Sequence, residues 1–199
     1  MTDNVVGNHY DKYGTRNPIA RALMSGFIGA ATSLYRLAAA DTVLEVGCGE
    51  GELAQTLLAS GPAPSRFEIT DLDIGRVPSE LPAPLQARQA SVYELPYADD
   101  AFDLVVCCEV LEHLEDPEQG LREVARVAKH RVLLSTPWEP MWRAMNMARG
   151  KYLTDLGNTP GHVQHFTRRG LVELASKHLS ILQRRRPLPW TMLLGAPLR

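Results

Sequence analysis

The 199-residue sequence is poor in several things, and each shortage narrows what it can be. It holds three cysteines, Cys48, Cys107 and Cys108. An odd number with two adjacent gives neither a disulfide framework nor a spaced metal-binding set, and points to a reducing compartment. Met1-Thr2-Asp3-Asn4 lacks the basic and apolar blocks of a signal peptide, and no run approaches the roughly 20 apolar residues that span a bilayer. These features predict a cytoplasmic protein with no transmembrane segment. Net charge of one sign is also scarce: the formal value is -2, so no global positive field draws the chain toward nucleic acid. With 45% hydrophobic and 22% charged residues, the composition is that of a globular protein with a proper core.

Asn17-Pro18 reads as a helix start, a capping side chain followed by proline at the first helical position. Ile19, Leu23, Phe27, Ala31, Leu34 and Ala38 recur at spacings of three and four, which predicts one long amphipathic helix. Strands are expected at 41–46, 67–72, 85–92, 102–107 and 131–135. Helices are expected at 52–59, 117–129, about 141–148 and about 167–178, with two final strands after them. The stretch from Pro78 to Pro84 predicts a loop or at most a turn of helix. Alternating strands and helices argue for an α/β doubly wound parallel sheet. One domain over 1–199 is the simplest account: a helical cap at 1–40, a ligand-binding half at 41–136 and a second half at 137–199.

The sharpest signal is Val43-Leu44-Glu45-Val46-Gly47-Cys48-Gly49-Glu50-Gly51. A strand ending in alternating glycines lets backbone pass close to a ligand, and the following helix presents free N–H groups. A dinucleotide fingerprint would need a third glycine where Glu52 stands, and Glu45 puts an acid where pyrophosphate would sit. Both disfavour a nicotinamide-dependent oxidoreductase. A carboxylate there suits a ligand carrying ammonium and sulfonium charges.

The segment resembles motif I of the class I S-adenosylmethionine-dependent methyltransferases, in which an acid precedes a G-x-G-x-G loop. Similarity is nearest to the small-molecule branch that includes ubiquinone and menaquinone biosynthesis enzymes. The resemblance implies a Rossmann-like, seven-stranded, mostly parallel sheet with its last strand antiparallel and an N-terminal helical extension. It implies S-adenosyl-L-methionine as cofactor, methyl transfer by in-line displacement to a small-molecule O-, N- or C-centred acceptor, and no nucleic-acid partner. The N/D-P-P-Y/F stretch of base amino-methylating enzymes is indeed missing where Cys107-Cys108-Glu109-Val110 stands. The alternative kept open is a cofactor-binding partner or sensor without catalysis.

By the same resemblance, Gly47, Cys48 and Gly49 would line the methionine portion, with Glu45 supporting its ammonium group. Asp71 and Asp73, at the end of the second strand, are both candidates for the ribose hydroxyls. The family pattern places the acid at Asp73, followed by Ile74. Ser91 stands where the family often has an adenine-binding aspartate, a departure that shifts adenine recognition toward backbone and Val92. Cys108 and Glu109 should border the cofactor. His113, four residues on, would share a helix face with Glu109 and is either a base or a buttress. His162 and His165 either face the acceptor or are structural; lacking a third spaced ligand, they predict no metal. Trp138, Trp142 and Met145 form either an apolar acceptor lid or plain core. Tyr10 and Tyr13 would fold over the cofactor, Tyr13 reaching the methionine carboxylate. Arg184-Arg185-Arg186 ends a strand, or touches anionic lipid.

Overall fold

The computed structural model describes residues 17–148, 150 and 152–199. Asn17 starts the first helix, its Oδ1 accepting from the amides of Ile19 and Ala20, with Pro18 at the first helical position. That helix, α1 (Pro18–Ala38), leads into β1 (Thr42–Val46), α2 (Glu52–Ala59), β2 (Arg66–Asp71), β3 (Leu85–Gln89) and β4 (Phe102–Cys108). Then follow α3 (Pro117–Val127), β5 (Ala128–Pro137), α4 (Glu139–Ala148), α5 (Arg168–Ala175), β6 (Leu179–Arg185) and β7 (Trp190–Pro197). None of the described helices is long and apolar enough to cross a membrane.

The sheet order is β3-β2-β1-β4-β5-β7-β6. β1 to β5 pair in parallel, and β7 inserts antiparallel between β5 and β6. Alternation along the central strands divides the core by face. Leu44, Val105 and Leu134 point to the side covered by α3 and α5, joining Leu121, Val124 and Leu171. Val43, Leu104 and Leu133 point to the side covered by α1 and α2, with Phe27, Leu34 and Leu57. Strands buried on both faces carry continuous apolar runs, as Leu104 to Cys108 of β4 do.

The stretch from Pro78 to Pro84 makes only bends and a turn before β3, as its composition requires, and a short 3-10 turn at Ile74–Arg76 precedes it. Several expected boundaries move: β3 ends at Gln89 rather than 92, β5 runs Ala128–Pro137 rather than 131–135, and two helices shorten. α3 stops at Val127 rather than Lys129, because Ala128 is already paired with Phe102 in the β4–β5 ladder. α5 is shorter than 167–178: Thr167 caps it by accepting from the Gly170 amide, and residues beyond Ala175 turn into β6. Chain growth reverses between β1 and β4, and the crevice beyond the carboxyl ends of those two strands is where open α/β sheets bind ligands.

Candidate functional site

At that crevice the chain leaves β1 through three left-handed glycines, Gly47 (φ 70°), Gly49 (φ 56°) and Gly51 (φ 74°). The amides of Gly47 and Cys48 both donate to the Thr70 carbonyl at 2.7 and 2.9 Å. A Cβ on Gly47 would collide with Val110, so this glycine serves close packing against the segment after β4. Among the described residues, a Cβ on Gly49 would meet nothing within 4 Å.

Two carboxylates flank the loop. Asp71 Oδ2 accepts from the Gly49 amide at 2.8 Å, and Oδ1 accepts from the Asp73 amide at 3.2 Å. Asp73, exposed, instead caps the 3-10 turn through the Gly75 amide, with half-buried Ile74 as that turn's first residue. The acid against the glycine loop is thus Asp71, which is not a merely solvated strand end. Glu45 is buried (3% exposed), and its Oε2 has no hydrogen-bond partner among the described residues. Burial, with the Asp71 charge adding to it, pushes the Glu45 carboxyl up to about 8.

Beyond β3, Ser91 Oγ accepts from the Tyr93 amide at 3.2 Å, while Val92 is buried in the core. Cys48 and Cys108 are buried free thiols raised by desolvation, so neither is a thiolate nucleophile. The expected helix carrying Glu109 and His113 on one face does not form. Glu109 is left-handed (φ 61°), its carboxylate accepting from Ser135 Oγ at 2.9 Å and Trp190 Nε1 at 2.6 Å. Held toward β5 and β7 in that conformation, it cannot begin a helix, and only Leu111–His113 make a 3-10 turn.

His113 Nδ1 lies 2.9 Å from the Gly161 carbonyl, and its ring stands edge-on to His162 at 5.0 Å between centroids. His162, buried, pairs through Nδ1 with Glu139 at 2.7 Å. His165 is exposed and bonds Asn158. Trp142 donates to Thr159, stacks on His162 and leans on Trp190; Trp138 lies under the Arg168 guanidinium at 3.9 Å. Sequence reasoning missed Glu112 and Glu139, because helical or strand spacing cannot reveal partners brought in from distant loops. Tyr13, with Tyr10, lies outside the described residues.

Residues 44–135 match the family model described as a methyltransferase domain. That segment, just under half of the chain, is similar to methyltransferase domains. The segment covers β1 through most of β5, so the domain's signature coincides with the glycine loop, both flanking acids and the segment after β4. A protein of Mycobacterium tuberculosis named as a probable S-adenosylmethionine-dependent methyltransferase is 38% identical over 100 residues, covering 49% of this chain and 36% of the relative. A ubiquinone biosynthesis O-methyltransferase of Vibrio campbellii is 37% identical over 97 residues, covering 44% and 39%. The chain thus spans well under half the length of these relatives. Among solved structures, magnesium protoporphyrin IX methyltransferase from Synechocystis with bound SAH superposes with a TM-score of 0.66 at 18% identity, covering 93% of this chain and 90% of that one. An N-methyltransferase from Bradyrhizobium japonicum in complex with S-adenosyl-L-homocysteine gives 0.65 at 17%, covering 96% and 94%. At such identities the likeness is one of fold, and it extends beyond the methyltransferase domain's matched segment to nearly the whole chain.

Proposed function

We propose that the chain is an S-adenosyl-L-methionine-dependent methyltransferase acting on a small-molecule acceptor in the cytoplasm. The observation that carries this reading is the pairing of a left-handed glycine loop with a buried carboxylate oxygen on Glu45 that has no hydrogen-bond partner among the described residues. A buried carboxylate is costly unless a cation reaches it. A bare backbone turn beside it leaves room for the cation's carrier.

The residues present fit the cofactor. Gly47, Cys48 and Gly49 would hold its methionine portion through backbone groups, Glu45 its ammonium, Asp71 its ribose, and Val92 with the backbone at Ser91 its adenine. Cys108 and Glu109 would border it from β4. When bound, the cofactor supplies a methyl group made electrophilic by a positive sulfur. The chain's own contribution is to hold the acceptor in line, an effect that can be worth roughly 7–11 kcal/mol of a barrier. Trp138, Trp142, His162 and His165 would form the acceptor side. Where the acceptor must lose a proton, His113 stands on that side, and Gly161 orients its ring. The near-neutral charge of the chain supports a small acceptor over nucleic acid.

Release of S-adenosylhomocysteine in the presence of candidate acceptors tests the activity; turnover with none, while the cofactor binds, would favour a sensor. Asp71→Ala should weaken S-adenosylhomocysteine binding by about tenfold or more in calorimetry, the worth of hydrogen bonds to a charged group. Asp73→Ala should leave binding nearly unchanged. The opposite ranking would return the ribose to Asp73.

A further inference from the structure

Glu112, His113 and His162 bring one oxygen and two nitrogens to within 4.8 Å of one another, the one such group among the described residues. Glu112 is 1% exposed and His162 7%. They come from separate loops locked together by backbone, since the Glu112 carbonyl accepts from the amides of both Val163 and Gln164 at 3.0 Å.

The supporting bonds matter more than the proximity. His113 donates Nδ1–H to the Gly161 carbonyl, and His162 donates Nδ1–H to Glu139 Oε1. An imidazole fixed through Nδ1–H carries its lone pair on Nε2, and an outer carbonyl or carboxylate on the far nitrogen is the usual support of a metal-ligating histidine. Glu139 is itself 3% exposed, and its Oε2, behind His162, has no hydrogen-bond partner among the described residues. Two carboxylates buried beside two imidazoles form a pocket that a cation would neutralise.

We propose that Glu112, His113 and His162 bind a divalent transition-metal ion, with Gly161 and Glu139 orienting the two imidazoles. Two nitrogens and one oxygen make a donor set of intermediate softness, suited to Mn²⁺, Fe²⁺, Co²⁺ or Zn²⁺ rather than to Ca²⁺. Three protein ligands leave positions open, and the site lies just past β4, on the side that the proposed function assigns to the acceptor. A hydroxyl group of the acceptor or a water fits such a position, where the cation would make its proton easier to lose. This deepens the methyltransferase reading and replaces an imidazole base at His113 with a metal-assisted one. The spacing of His162 and His165 predicts no metal; in the proposed site His165 takes no part, and Glu112 and His113 join His162 across the fold rather than along the chain.

The test uses the full chain, stripped with chelator and dialysed against Mn²⁺ alone, with bound metal counted by mass spectrometry. About one ion per chain is expected, with affinity falling about tenfold or more in His162→Ala and unchanged in His165→Ala. No stoichiometric retention of Mn²⁺, or equal retention by folded His162→Ala, would overturn the proposal. Should His162→Ala fail to fold, the pulsed magnetic-resonance spectrum of Mn²⁺ bound to the unaltered chain decides. Nitrogen couplings from imidazole support the site, and their absence rejects it. S-adenosylhomocysteine binding to the metal-free protein reports on the glycine loop alone, so the two readings fail separately.

Discussion

Gly49→Val is expected to abolish S-adenosylmethionine binding while leaving a folded protein. The backbone at this position is left-handed (φ 56°), so any side chain adds strain of about 1–3 kcal/mol, a sizeable share of a domain's stability but not all of it. Among the described residues, a Cβ built there has no atom within 4 Å, so the new side chain clashes with none of them at that point. Its volume falls instead in the space that the reading assigns to the methionine portion of the cofactor. Loss of affinity by about hundredfold or more, the worth of close backbone contacts and the ammonium interaction together, should appear in calorimetry with a circular dichroism spectrum like that of the unaltered chain. Gly47→Val makes the contrasting case. There a Cβ collides with Val110, so that variant should lose stability as well as binding. Micromolar affinity retained by Gly49→Val would place the ligand elsewhere.

Glu45→Gln should weaken cofactor binding and erase its dependence on pH. The carboxyl is buried and raised from 4.5 to about 8, so at neutral pH the ligand-free protein keeps it protonated. An ammonium group favours the ionised form. Affinity should therefore rise with pH across the neutral range and level off as the ligand's own α-amino group titrates, near ~7.7–8.0. Binding should release a proton, visible as a heat that changes with the ionisation enthalpy of the buffer. The amide in Glu45→Gln copies the shape of the protonated acid but cannot ionise. Affinity should fall about tenfold to a hundredfold, the worth of a charge-assisted hydrogen bond, and the pH slope and proton release should vanish. Stability carries the opposite sign. Because the folded state holds the Glu45 proton more tightly than the unfolded chain does, this residue's contribution is full below 4.5 and declines as pH rises toward about 8. Unliganded Glu45→Gln should lack that decline. A pH-independent affinity in the unaltered chain would remove Glu45 from the site.

Where the sequence was legible, local chemistry and final structure asked for the same thing. Asn17-Pro18 capped a helix because its side chain could reach two free amides whatever lay around it. The run from Leu104 to Cys108 reads as a central strand because burial on both faces leaves an unbroken apolar segment. The glycines of 47, 49 and 51 announced a left-handed loop that few other residues adopt. Illegible features were those decided by partners far along the chain. Glu109 was read into a helix by its spacing to His113, yet Ser135 and Trp190, on β5 and β7, set its conformation. Asp71 and Asp73 look alike by spacing, and only the structure shows that Asp71 bonds the Gly49 amide while Asp73, past the end of β2, caps a turn. The joining of Glu112, His113, His162 and Glu139 depends on the turn after β4, the loop around His162 and the start of α4 meeting, and no periodicity records that.

Equilibrium dialysis of the purified full chain against methyl-labelled S-adenosylmethionine tests the central claim most directly. Saturable retention of about one equivalent, displaced by S-adenosylhomocysteine but not by NADH, is the predicted result for a single glycine-loop site. No retained label at millimolar ligand would contradict it.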